Sequence, residues 1–134
     1  MTLRCVIVDD SLVFVTAARS LLEQEGMAVL GAASNGTEAL RLAADLQPDV
    51  LLVDIDLDGE SGLELVGRLA GSADSAPPVI LISTHAEEAY ADLIAESAAV
   101  GFLPKAKLSA TAIGRLLDGR SDVPSHPIPQ PGER

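Results

Sequence analysis

Two short apolar runs in this chain end in carboxylates. Cys5-Val6-Ile7-Val8 leads into Asp9-Asp10, and Val50-Leu51-Leu52-Val53 leads into Asp54. Runs of this length bounded by polar residues predict strands buried on both faces, as in a parallel sheet covered by helices. In open parallel sheets, ligands bind beyond the carboxyl ends of the strands. Two such strands would bring three carboxylates to one edge. Like charges gathered there are unfavourable unless something offsets them. A hard divalent cation with oxygen ligands is the natural partner.

The rest of the chain alternates the same two signals. Strands are predicted at 3–8, 28–33, 49–54, 79–82 and 101–103. Ser11 is placed to cap a first helix that ends near Gly26, with Phe14, Ala18, Leu21 and Leu22 on its apolar face. A second helix is expected over 37–46, with Leu40, Ala43 and Ala44 inward and Pro48 beyond its end. Further helices are expected over 63–69, 87–98 and 109–117. Residues 57–62 read as a turn-rich loop. Strands alternating with helices imply parallel pairing through right-handed crossovers, hence a doubly wound three-layer α/β domain.

With 134 residues the chain suits one domain. It is 48% hydrophobic but only 2% aromatic, so the core must be aliphatic. A net charge of −11 argues against wrapping nucleic acid or lying on an anionic membrane. No apolar stretch reaches the roughly 20 residues of a membrane span. The first residues lack the layout of a signal peptide, so a cytoplasmic location is expected. Cys5 is the only cysteine, which excludes an intrachain disulfide, and it reads as a small buried apolar residue. Residues 1–118 form the expected domain. Residues 119–134 hold four of the eight prolines and read as a disordered tail.

Five positions follow one another at or near predicted strand ends: Asp9-Asp10, Asp54, Ser83, Phe102 and Lys105. In that order they resemble the receiver domain of two-component response regulators, over residues 3–118. The resemblance implies a flavodoxin-like α/β fold: a doubly wound five-stranded parallel sheet with five helices and strand order 2-1-3-4-5. Asp54 resembles the phosphoacceptor, a carboxylate that attacks a phosphoryl group to form an acyl phosphate. Asp9 and Asp10 resemble the metal-binding pair, with Asp54 and the backbone carbonyl of Asp56 completing the protein's share. Mg2+, with Mn2+ as the alternative, fits such a set of oxygen ligands. Lys105 resembles the lysine that pairs first with the phosphoacceptor and then with the phosphoryl group. Ser83 resembles the hydroxyl switch and Phe102 the aromatic switch. Asp56 and His85 fall where the family tunes the lifetime of the phosphoryl group.

The implied donor is a histidine kinase or a histidine phosphotransfer protein, and the target is an unidentified protein. A homodimer through helix 4, strand 5 and helix 5 is implied as well. The implied role is signalling without conventional turnover, although such a domain assists its own phosphorylation and dephosphorylation. Two departures from the family pattern stand out: Pro104 precedes Lys105 and Ala106 follows it, and Asp58 occupies a position that is often proline. The start at Met1 and the proline-rich tail favour a stand-alone regulator over a receiver severed from an output domain. Two alternatives stay open. One is a degenerate receiver that only binds proteins. The other is a haloacid-dehalogenase-like phosphatase built on Asp56-Leu57-Asp58-Gly59, which would leave Asp9 and Asp10 without a role.

Overall fold

A computed structural model describes residues 2–57, 59–72, 76–84 and 91–122. In chain order the elements are β1 (Arg4–Val8), α1 (Leu12–Gln24), β2 (Ala28–Ala33), α2 (Gly36–Leu46) and β3 (Val50–Asp54). Two very short strands follow, β4 (Asp56–Leu57) and β5 (Glu60–Ser61), and then α3 (Gly62–Ser72) and β6 (Val79–Ser83). The chain closes with α4 (Ala91–Glu96), β7 (Gly101–Pro104), a 3-10 turn at Lys105–Lys107 and α5 (Ala110–Asp122).

Five strands form one sheet in the order β2-β1-β3-β6-β7. All neighbouring pairs in it are parallel. With β4 and β5 set aside, this is the expected 2-1-3-4-5 order. Every residue of β3 and of β6 is buried, as their unbroken apolar runs require.

Alternation along the strands sends side chains to opposite faces of the sheet. Val6, Val8, Leu51, Val53, Leu81 and Phe102 pack on one face with Ala39 and Ala43 of α2 and Leu65, Val66 and Leu69 of α3. Cys5, Ile7, Val50, Leu52, Ile80 and Ile82 pack on the other with Val15, Ala18 and Leu22 of α1 and Ile113 of α5. The three layers thus follow from two-residue alternation in the strands and one apolar stripe per helix.

The helix faces differ from expectation in phase. On α1 the buried stripe is Val15, Ala18 and Leu22, whereas Leu21 is exposed and Phe14 stands at the rim. Ala18 and Leu22 are buried as expected, but Val15 joins them where Phe14 and Leu21 were expected, because Phe14 and Val15 are both apolar and periodicity alone does not choose between them. On α2 the buried residues are Gly36, Ala39 and Ala43, and Ala44 is exposed. Alanine carries too little apolar surface to set a phase. The predicted loop at 57–62 contains the antiparallel pairing of β4 with β5, turned at Gly59 with φ of 77°. The last helix runs on to Asp122, past the expected end at Leu117 and past the expected domain edge at 118. The remainder of the tail, residues 123–134, lies outside the described residues. No described helix is long and apolar enough to cross a membrane.

Cys5 is fully buried, and burial pushes its thiol up to about 11. The thiolate is the reactive form, so the folded protein should resist thiol reagents at neutral pH. Stoichiometric labelling should appear only in denaturant. Prompt labelling of the native protein would contradict this packing.

Candidate functional site

The carboxyl ends of β1 and β3 lie side by side, with Val8 opposite Val53. The residues that follow therefore emerge together. Asp9 is buried, Asp10 is exposed and Asp54 is buried at the strand's last position. One oxygen of each carboxylate lies within 4.8 Å of the others. Lys105, in the turn immediately after β7, reaches across to this cluster. Its Nζ lies 2.7 Å from Asp9 Oδ2 and 3.2 Å from Asp54 Oδ2.

Local geometry fixes each group. The Asp9 backbone N–H donates to the carbonyl of Ala33 at 2.9 Å. Asp9 Oδ1 accepts from the N–H of Ser11 at 2.8 Å, and the Ser11 hydroxyl accepts from the N–H of Phe14 at 3.2 Å, capping α1. The acidic pair thus stands just ahead of the N-terminus of α1, where the helix dipole favours negative charge. Asp54 Oδ1 accepts from the N–H of Asp56 at 3.1 Å, while its Oδ2 accepts from Lys105. A side chain at Gly62 would collide with the Asp54 carbonyl, its Cβ only 2.9 Å from the carbonyl carbon. The N–H of Gly62 donates to Ile55 at 2.7 Å. Glycine there lets the start of α3 press against the backbone that carries Asp54. Glu60 ties the same loop to α2 by accepting from the N–H of Gly36 at 3.2 Å.

Burial pushes the Asp54 carboxyl above its ordinary value. The N–H of Asp56 pulls the other way, the charge of Asp9 pushes further up, and Lys105 pulls down. Burial would by itself lower the Lys105 ammonium, but its short contact with Asp9 and the charges of Asp54 and Asp9 more than reverse this, and it is held above its usual value. Among the described residues, three carboxylates against one ammonium carry a formal net charge of −2. Asp9 Oδ2, although close to Nζ, has no aligned hydrogen-bond donor among the described residues and is buried. A compact all-oxygen set with two uncompensated charges fits a hard divalent cation.

Ser83 is buried at the end of β6, where Ile82 pairs with Asp54, so its backbone stands one step beyond the acid on the neighbouring strand. Phe102 is buried in the face-one core and pairs with Leu81. Asp56 is exposed directly behind Asp54. His85 and Asp58 lie outside the described residues. The structure therefore gathers Asp9, Asp10, Asp54 and Lys105 into direct proximity and sets Ser83 at the same edge. The order of Pro104, Lys105 and Ala106 does not stop the lysine reaching the cluster.

A family model described as the response regulator receiver domain matches residues 5–113. The chain belongs to the response-regulator receiver family. Receivers of this kind are signalling modules of two-component systems. Response regulator GacA of Pseudomonas aeruginosa is 32% identical over 104 residues, covering 77% of this chain and 48% of that protein. A Myxococcus xanthus protein-glutamate methylesterase/protein-glutamine glutaminase is 40% identical over 87 residues, 64% of this chain and 25% of that one. The chain thus spans half or less of these curated relatives. Among solved structures, the signal receiver domain of the response regulator NarL from Mycobacterium tuberculosis superposes with a TM-score of 0.76 at 29% identity, covering 90% of this chain and 97% of that chain.

Sequence reasoning missed Gly62 and Glu60, whose importance lies in close backbone approach and carries no sequence signal of its own. It read Phe14 as a core or boundary residue, and the structure places it at the rim of the core.

Two consequences can be checked. Gly62→Ala must displace either the start of α3 or the Asp54 backbone. Overpacking of this kind costs about 1–3 kcal/mol, which urea unfolding should register, and no loss would contradict the close approach. Lys105→Met leaves the carboxylates uncompensated and should cost about 3 kcal/mol in chelator, with much of the deficit recovered in Mg2+. An equal deficit in both conditions would contradict the charge balance described above.

Proposed function

We propose that the chain accepts a phosphoryl group on Asp54 from a phosphohistidine, in a Mg2+-dependent reaction, and that the new group switches a protein-binding surface. The observation that carries this reading is the convergence of Lys105 on both Asp54 and Asp9 beside Asp10. Phosphoryl transfer asks little covalent chemistry of a protein. It asks for positioning and for charge neutralisation.

Asp54 supplies the nucleophile. Its carboxylate attacks phosphorus, a P–O bond forms as the donor's P–N bond breaks, and the leaving imidazole takes up a proton. Lys105 holds the carboxylate in place beforehand and offers its ammonium to a phosphoryl oxygen afterwards. Asp9, Asp10, Asp54 and the Asp56 carbonyl would hold Mg2+, which when bound neutralises phosphoryl charge and orients its oxygens. Ser83 then donates its hydroxyl to the phosphoryl group, drawing its loop inward, and Phe102 follows into the space released. This biases a two-state element by local bonds. The surface formed by α4, β7 and α5 is the one that changes, for a homodimer or a protein target. Asp56 and His85 flank the phosphoryl group and set its lifetime. The donor is a histidine kinase or histidine phosphotransfer protein, the chain itself acts in the cytoplasm, and the domain assists its own phosphorylation and dephosphorylation without other turnover.

The phosphatase alternative loses support, because Lys105 engages Asp54 rather than Asp56. The test is intact mass after incubation with acetyl phosphate. One phosphoryl adduct is expected in the parent with Mg2+, and none with chelator or in Asp54→Asn. No adduct in the parent, even in the cold, would leave a protein-binding module only.

A further inference from the structure

The Lys105 ammonium has more than acids around it. Asp9 and Asp54 approach it from two directions, and the ring of Phe14 covers another, with its centroid 4.3 Å from Nζ. Only 12% of the lysine side chain is exposed. An ammonium carries three donors and no acceptor. Here Asp54 accepts a hydrogen bond from it, Asp9 pairs with its charge at 2.7 Å, and an aromatic face attracts the charge from a third side.

We propose that Phe14 is a positioning residue for Lys105, acting through the face of its ring. The inference rests on the reading of Asp54 and Lys105 given above, and it adds a residue to that site.

Three observations separate this from simple core packing. First, Phe14 is not part of the buried stripe of α1, which is Val15, Ala18 and Leu22; it stands at the rim of the core, on the first turn, at the acidic edge of the sheet. Second, a leucine or isoleucine would cover the same rim, but it has no quadrupole with which to attract a cation. Third, the ring is not loosely placed. Asp9 Oδ1 holds the N–H of Ser11, the Ser11 hydroxyl holds the N–H of Phe14, the Phe14 ring faces Lys105, and Lys105 returns to Asp9 Oδ2. The circuit is closed, so the ring and the acid that share the ammonium are fixed relative to one another.

This has a consequence for phosphoryl uptake. A flexible four-carbon stem allows an ammonium to wander. When Asp54 acquires a phosphoryl group, the partner of Nζ at that position changes. Phe14 and Asp9 keep their contacts and hold the charge at the reacting edge. The ring acts on the ammonium, which is not a metal ligand, so divalent-cation binding should not depend on it.

The test compares the parent with Phe14→Leu, Phe14→Tyr and Phe14→Trp. The rate of phosphoryl uptake from acetyl phosphate with saturating Mg2+ is followed by intact mass, and Mg2+ affinity is measured separately. Phe14→Leu should slow uptake about fivefold with Mg2+ affinity unchanged, and the two aromatic variants should stay near the parent rate. Proton NMR reports whether the ring covers the ammonium in solution, and rescue by the aromatic variants is the readout that packing alone does not move. The ε-methylene of Lys105 should lie upfield of that of Lys107 in the parent, through the ring current, and return to the ordinary position in Phe14→Leu. Uptake by Phe14→Leu at the parent rate overturns the inference, as does a slowing shared equally by the aromatic variants. If Phe14→Leu does not fold, an undisplaced Lys105 ε-methylene in the parent overturns it by itself. No adduct in any protein, parent included, overturns the phosphoacceptor reading and this inference with it. Equal adduct formation in all four overturns the inference alone.

Discussion

Three carboxylates share one sheet edge with a single ammonium, and the rest of the molecule is arranged to hold that imbalance in place. Two unit charges about 5 Å apart interact by about 3 kcal/mol at an effective dielectric near 20. Asp9, Asp10 and Asp54 lie within 4.8 Å of one another, so their repulsion is a sizeable fraction of what a small domain has to spare. The cluster persists because Asp9 and Asp54 sit at the ends of strands whose other residues are locked in the core. Val8 and Val53 pair across β1 and β3, and both are fully buried. The offset comes from three sources at different strengths: the Lys105 ammonium in direct contact, the positive end of α1 close by, and backbone N–H groups of Ser11 and Asp56 on single oxygens.

A rigid frame and a charged edge divide the labour. The frame is two aliphatic layers on either side of the sheet, with Phe102 the only aromatic side chain among the buried described residues. Such interiors are close-packed and respond to change by switching rather than by gradual yielding. The edge is where new charge would act. In the proposed reaction one added phosphoryl group redirects Lys105 and Ser83, which belong to the turn after β7 and the end of β6. A local change of bonding is thereby delivered to the two strands farthest from β2.

The fold was legible because its signals were redundant. Four-residue apolar runs at Cys5–Val8, Val50–Val53 and Val79–Ile82 are hard to read as anything but central parallel strands, and each is bounded by a polar residue at its carboxyl end. The acidic cluster was legible for the same reason, since a strand end fixes where the next side chain emerges. What failed was finer. On α1, Ala18 and Leu22 were placed correctly, but Phe14 was taken for the buried position that Val15 holds, because both are apolar. The alanine-rich face of α2 offered no bulky marker. The role of Gly62 depends on how near α3 comes to the Asp54 carbonyl, a distance set by tertiary packing. Phe14 was visible as an aromatic but not as a neighbour of Lys105, because the two are joined only when β7 delivers the lysine to the first turn of α1. Of the positions read from the family pattern, His85 lies outside the described residues.

The central claim is that Asp54, among several carboxylates at one edge, is the group that takes the phosphoryl. The most direct measurement is borohydride reduction of the phosphorylated protein followed by peptide sequencing, since reduction converts an aspartyl phosphate to homoserine and leaves free carboxylates unchanged. Homoserine at position 54 and nowhere else is the predicted result. Homoserine at Asp9, Asp10 or Asp56 would contradict the account, because it would mean that the lysine marks a neighbour and not the nucleophile.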